Sequence, residues 1–164
     1  MTGSSVDPPA VVSSPDGDDR LWVSEWYRIA PRTFEQFELF FEPGTVYAVF
    51  AEESFKSLLL RRDGRARAAR DLGDRYRSAT RAQLLDGERS FEVPADEMTA
   101  IRLTPGSLLT KPRLTIETSA RDHTLYHGSR SYDVESLCRS LDRLYADSHV
   151  DVATADRDWL AFVG

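Results

Sequence analysis

The feature that most constrains this chain is a one-faced helix placed directly after a run of short strands. From residue 134 the apolar residues are Val134, Leu137, Cys138, Leu141, Leu144 and Tyr145. Steps of three and four put all six on one side of an α-helix. Glu135, Ser136, Arg139, Asp142 and Arg143 fall on the other side. A helix with a single apolar face must cover something, and the preceding residues 91–127 read as four strands. The expectation is a sheet capped or closed by its last helix.

The strands are marked by period and by turns. Residues 113–118 alternate, with Leu114 and Ile116 against Arg113, Thr115 and Glu117, the pattern of a half-buried strand. Residues 124–127 pair with it across a turn at 120–122. Residues 90–93 and 98–103 precede it, punctuated by Pro94 and Pro105-Gly106. In the first half, 21–29 carries Trp22, Trp26 and Tyr27, and 34–42 carries four Phe. Pro43-Gly44 turns that strand into 45–50. From Glu52 the period becomes helical, with Phe55, Leu58 and Leu59 following an acidic pair suited to a helix start. Gly64 and Gly73 divide this stretch into expected helices over 53–70 and 74–85. Ser131 or Asp133 is placed to cap the closing helix.

Composition sets the limits. The chain has 164 residues, enough for one domain with a real core. Residues 1–20, rich in Ser, Pro, Asp and Gly, read as a disordered tail. The domain is expected over 21–147, with a helical insertion at about 52–86 and an acidic, apolar tail over 148–164. One cysteine excludes an internal disulfide and a multi-Cys metal site. Cys138 reads as a small core residue. No basic-then-apolar leader is visible, and no apolar run approaches a membrane span. The expectation is a cytoplasmic chain, peripheral at a membrane at most.

The net charge of −6 weighs against a general nucleic-acid binder. Two Lys against nineteen Arg fit a GC-rich coding sequence, and Asp ahead of Glu, sixteen to eleven, fits an acidic surface suited to high salt.

Phe91-Glu92-Val93-Pro94 leads through a short connection into Met98-Thr99-Ala100-Ile101-Arg102-Leu103. Gly106, the strand Pro112-Arg113-Leu114-Thr115-Ile116, Leu125-Tyr126 and the capped helix follow. With the Arg-rich helical segment ahead of Phe91, this pattern resembles bacterial and archaeal pleckstrin-homology-like proteins over roughly 45–147. The resemblance implies a partly open β-barrel of about seven strands, with a C-terminal capping helix and a helical insertion after the third strand. It also implies a non-catalytic binding or self-association module, in a family whose members bind proteins, peptides or lipids, with a protein, a peptide or a second copy as the expected partner here. The closing helix lacks the Trp of many eukaryotic members, so phosphoinositide binding does not carry over.

Four candidate sites follow. The first is the Arg-rich segment, Arg61, Arg62, Arg65, Arg67, Arg70, Arg75, Arg77 and Arg81. Guanidinium forks suit phosphates, so an anionic membrane or phosphate ligand is the alternative function. The plainer reading is a solvated helix face. The second is the loop 105–112, where Leu108, Leu109 and Lys111 either touch a membrane or protein groove or fold back over the sheet. The third is His123, His127 and Glu117, imagined as a metal or catalytic set but read as ordinary rim residues. The fourth is the tail, where Trp159, Leu160, Phe162 and Val163 either dock on this chain or a second copy, with the preceding aspartates near the arginines, or form an extra strand. No catalytic motif, cofactor site or small-molecule substrate is indicated, so the chain is not expected to be an enzyme.

Overall fold

A computed structural model describes residues 9–15, 17–55, 73 and 75–155. The fold is mostly sheet, of the α+β class, with nine strands and few helices among the described residues. The chain divides into two compact units, Met1–Ala95 and Asp96–Gly164.

The first unit is an antiparallel sheet in the order β1 (Ala10–Ser13), β2 (Asp19–Ile29), β3 (Thr33–Glu42), β4 (Thr45–Phe55) and β5 (Phe91–Pro94). β2 and β3 are buried on both faces over most of their length, so they read as near-continuous apolar runs. Pro43-Gly44 supplies the two-residue turn that pairs Glu42 with Thr45. One face carries a cluster of Trp22, Phe40, Tyr47, Val49, Ala79 and Leu84. The short helix α1 (Arg81–Leu84) delivers Leu84 to it, and Thr80 caps that helix by exchanging hydrogen bonds with Gln83.

Two contacts fix the segment before α1. A Cβ on Gly73 would overlap the Trp22 ring, so the chain passes this close only as glycine. Arg20 is 2% exposed. Its Nε and Nη2 bind Glu42 Oε1 at 2.9 and 2.8 Å, and Nη1 donates to the carbonyls of Tyr76, Arg77 and Ala79 at 3.4, 3.1 and 2.8 Å. A buried guanidinium thus satisfies carbonyls that no helix satisfies.

The second unit is a sheet in the order β8 (His123–His127), β7 (Arg113–Thr118), β6 (Met98–Thr104) and β9 (Asp151–Thr154). β9 runs parallel to β6, the other pairs antiparallel. Helix α2 (Val134–Leu144), capped by Asp133 on the Ser136 N–H, packs on β6 and β9. Val134, Leu137, Leu141 and Tyr145 are buried. Cys138 and Leu144 are only half-buried, because they lie at the two margins of the apolar stripe.

Several expectations are corrected. Within 1–20, Ala10–Ser13 pairs with β2 instead of being disordered, through a turn in which Gly17 has φ 87°. Residues 53–55 continue β4, because pairing with β3 as far as Thr33 overrides the local helical period. The helix expected over 74–85 breaks at 77–80, and the one expected over 53–70 otherwise lies outside the described residues. Nine strands among the described residues replace the expected seven. The second unit does not end at 147, since His149 Nε2 meets the Met98 carbonyl at 2.9 Å and β9 follows.

Candidate functional site

The loop between β6 and β7 is where the structure places an apolar surface in solvent. Leu108 and Leu109 are 90% and 88% exposed, so they do not fold back over the sheet. The loop that carries them is tightly built. Ser107 N donates to the Thr110 carbonyl at 2.9 Å, and Ser107 Oγ accepts from the N–H groups of Leu109 and Thr110 at 3.1 and 3.0 Å. The Ser107 and Thr110 hydroxyls are themselves 2.8 Å apart. This is the Ser-initiated turn in which a side chain stands in for backbone partners.

The base of the loop is equally fixed. A Cβ on Gly106 would overlap the Arg130 carbonyl and come within 2.9 Å of Pro112 Cδ. Pro112 is buried, and its carbonyl accepts from the His127 N–H at 3.0 Å. Lys111 Nζ donates to the Gly128 carbonyl at 2.6 Å, so its charge is held at the root of the tip.

Strand register decides which charges surround this tip. β6 ends, β7 begins and β8 ends on the loop side. Among the described residues Lys111, Arg113 and Arg130 lie there, with Asp133 and Glu135 at the same end. Asp96, Glu97, Asp122 and Arg121 lie at the opposite end. Among these residues cations outnumber carboxylates three to two at the leucine tip, and carboxylates outnumber cations three to one at the other end.

The other candidates are placed as follows. Arg61, Arg62, Arg65, Arg67 and Arg70 lie outside the described residues. Arg75 and Arg77 are exposed, and Arg81 is engaged by both oxygens of Glu92, which holds its pKa up. A groove of about 660 Å³ runs beside this segment, lined by Arg75, Tyr76, Gln83 and Asp86 among others. One cation facing one carboxylate gives it no preference for an anion.

His123 and His127 sit at opposite ends of β8, and Glu117 stays at the His123 end, where it faces Arg102 at 3.7 Å. The three do not converge. His127 is buried, its Nδ1 accepts from the Ser129 N–H at 2.9 Å, and its ring lies 4.0 Å from that of Tyr132. Among the described residues no cluster of three or more His, Cys, Asp or Glu is placed to hold a metal ion. Desolvation pushes the Cys138 thiol up, away from the reactive thiolate. Trp159, Leu160, Phe162 and Val163 lie outside the described residues, as do Asp156 and Asp158. Their attachment point is placed: Ala155 N donates to the Leu103 carbonyl at 2.7 Å, at the loop end of β6.

One buried acid escaped the sequence reading. Glu38 is fully buried on β3, opposite a β2 bulge between Val23 and Trp26 in which Glu25 adopts φ 66°. Its Oε2 accepts from Trp22 Nε1 at 2.8 Å, and Oε1 meets no hydrogen-bond partner among the described residues. Burial raises its pKa from 4.5 to about 8, with the Glu25 charge adding to the rise and hydrogen bonds from Trp22 and Ser24 opposing it.

No protein-family model matches the chain, and no curated protein matches it in sequence. Among the described residues no helix is long and apolar enough to cross a membrane.

Proposed function

We propose that this chain is a non-catalytic binding module of the pleckstrin-homology-like type, and that its contact surface is the 105–112 loop. The observation that carries the reading is the exposure of Leu108 and Leu109 on a loop whose base is fixed by Gly106, Lys111 and Pro112. Chains leave large apolar side chains in water singly, as at Val11 and Ile29, without consequence. Two adjacent leucines on a pre-ordered tip are different, because the ordering entropy of the contact is already spent when a partner arrives.

Magnitude narrows the kind of contact. Burying two leucines contributes roughly 3–6 kcal/mol at about 1.5–3 each. A stable protein interface covers about 800 Å² per partner and some 20–30 residues a side. Two side chains fall far short of that, so the contact is weak and reversible unless other surfaces join it. Self-association through this loop alone is correspondingly weak. The route through the Arg-rich segment draws less support, since Arg81 is neutralised by Glu92.

The test compares the native chain with the L108S/L109S variant in unfractionated cell extract. A contact through the loop means that the native chain runs heavier than 18.5 kDa, in an assembly or with membranes. The variant then moves to the monomer position with an unchanged melting temperature. Both chains at the monomer position end the reading.

A further inference from the structure

We infer that the partner of the 105–112 loop is an anionic lipid bilayer, entered by Leu108 and Leu109 while Lys111, Arg113 and Arg130 lie at the headgroups. The inference rests on the reading of this loop as the contact surface and adds the class of partner.

Shape is the first reason. The two leucines are adjacent in sequence, and each is about nine-tenths exposed, so the apolar surface stands out from the loop. A protein partner must offer a pocket cut to such a tip, whereas acyl chains accommodate any convex apolar shape.

Polar satisfaction is the second. A segment that enters an apolar phase must bring its hydrogen-bonding groups already paired. Here three of the four N–H groups of 107–110, those of Ser107, Leu109 and Thr110, and both hydroxyls of the turn are paired within the loop, the Leu108 N–H being the exception. A loop designed to meet a protein groove through its backbone would leave those groups outward.

Charge is the third. Among the described residues Lys111, Arg113 and Arg130 lie at the loop end beside Asp133 and Glu135, while Asp96, Glu97 and Asp122 lie at the opposite end of the unit with Arg121. A chain of net charge −6 is repelled from an anionic surface as a whole, and this polarity lets it approach by one end. Two leucines alone give marginal attachment, and the adjoining cations provide the second signal that reversible anchoring requires.

The experiment is co-sedimentation of the full chain with phosphatidylcholine vesicles, with and without phosphatidylglycerol, at low salt. The native chain is expected to bind the phosphatidylglycerol vesicles, more weakly the neutral ones, and to release as salt rises. Replacing either leucine by serine should weaken binding by about tenfold or more. R130Q should flatten the salt dependence. A Leu108→Trp chain should show a blue shift in its emission on addition of anionic vesicles, relative to native chain treated alike.

Vesicle binding that L108S/L109S retains in full would assign attachment to another surface and overturn the inference. Absence of binding to any vesicle overturns it too. If vesicles are ignored while the extract test still shows the leucine-dependent shift, the binding module stands with a protein partner. If that shift is also absent, both readings fall.

Discussion

The Trp22 indole donates to Glu38 Oε2 at 2.8 Å, and the same ring lies against Gly73. A buried acid, a tryptophan and a glycine thus connect the middle of the first sheet to the segment packed on its face. The pair makes the first unit sensitive to pH and to a single methyl group.

The pH dependence follows from the raised pKa of Glu38, about 8 against 4.5. Between those values the folded chain holds a proton that the unfolded chain has released. Its contribution is full below pH about 4.5, declines as pH rises, and is gone above about 8. The slope is on the order of 1.4 kcal/mol per pH unit within that window. Denaturant melts of the native chain at pH 5 and pH 9 should show greater stability at pH 5. Glu38→Gln should remove this component of the slope and be the more stable form at pH 9. Parallel pH profiles for both chains would show that Glu38 does not titrate in this range.

Gly73→Ala drives a methyl into the Trp22 ring, whereas a Cβ on Gly44 meets nothing within 4 Å. The first substitution should cost about 1–3 kcal/mol or more through overpacking. The second should be near neutral. Equal effects in thermal melts would mean that the Gly73–Trp22 approach is not what holds the segment.

Leu141 is fully buried under α2, while Leu144 sits at the margin of the apolar stripe. Leu141→Ala should destabilise by about 2–5 kcal/mol, and Leu144→Ala by clearly less. The ordering is read from chemical denaturation of the two variants, and a reversed order would move the packed face of the helix.

Much of this fold was legible. Strands at about 21–29, 34–42, 90–93, 98–103, 113–118 and 124–127 announced themselves by apolar runs, alternation and Pro-Gly turns, and α2 by its stripe; the structure moves their ends by one or two residues. What failed depended on distant partners. Ala10-Val11-Val12 is too short to stand out in a Ser-, Pro- and Asp-rich stretch, and it is a strand because β2 offers an edge. An extra strand was one of the two readings of 148–164, but Asp151–Thr154 has no strand-like period that would place it, and its parallel pairing with β6 is a long-range event. Glu52 and Glu53 look like a helix start until the β3 ladder claims them.

The site was half legible. The sequence supplied the leucine pair and its flanking cations, but neither the exposure of Leu108 and Leu109 nor the close approach of Gly106 to Arg130 is revealed by a local pattern. Arg20 passed unnoticed because it fell in the stretch read as a disordered tail, and Glu38 because a polar residue within a strand looks solvent-facing until the covering segment is seen.

Gly106→Ala offers a separate check on the loop, because it leaves both leucines in place. The new methyl meets backbone at Arg130, so the tip must shift. Vesicle binding should fall although apolar content is unchanged. Undiminished binding would mean that the ordered shape of the tip is irrelevant.

The most direct measurement places a benzophenone side chain at position 108 in living cells, with a second chain labelled at Arg121, at the opposite end of the unit, as the reference. Contact through the leucine tip is expected to give light-dependent adducts, to lipid or to protein, from position 108 and far fewer from position 121. Equal labelling from the two positions, or none from 108, would contradict it.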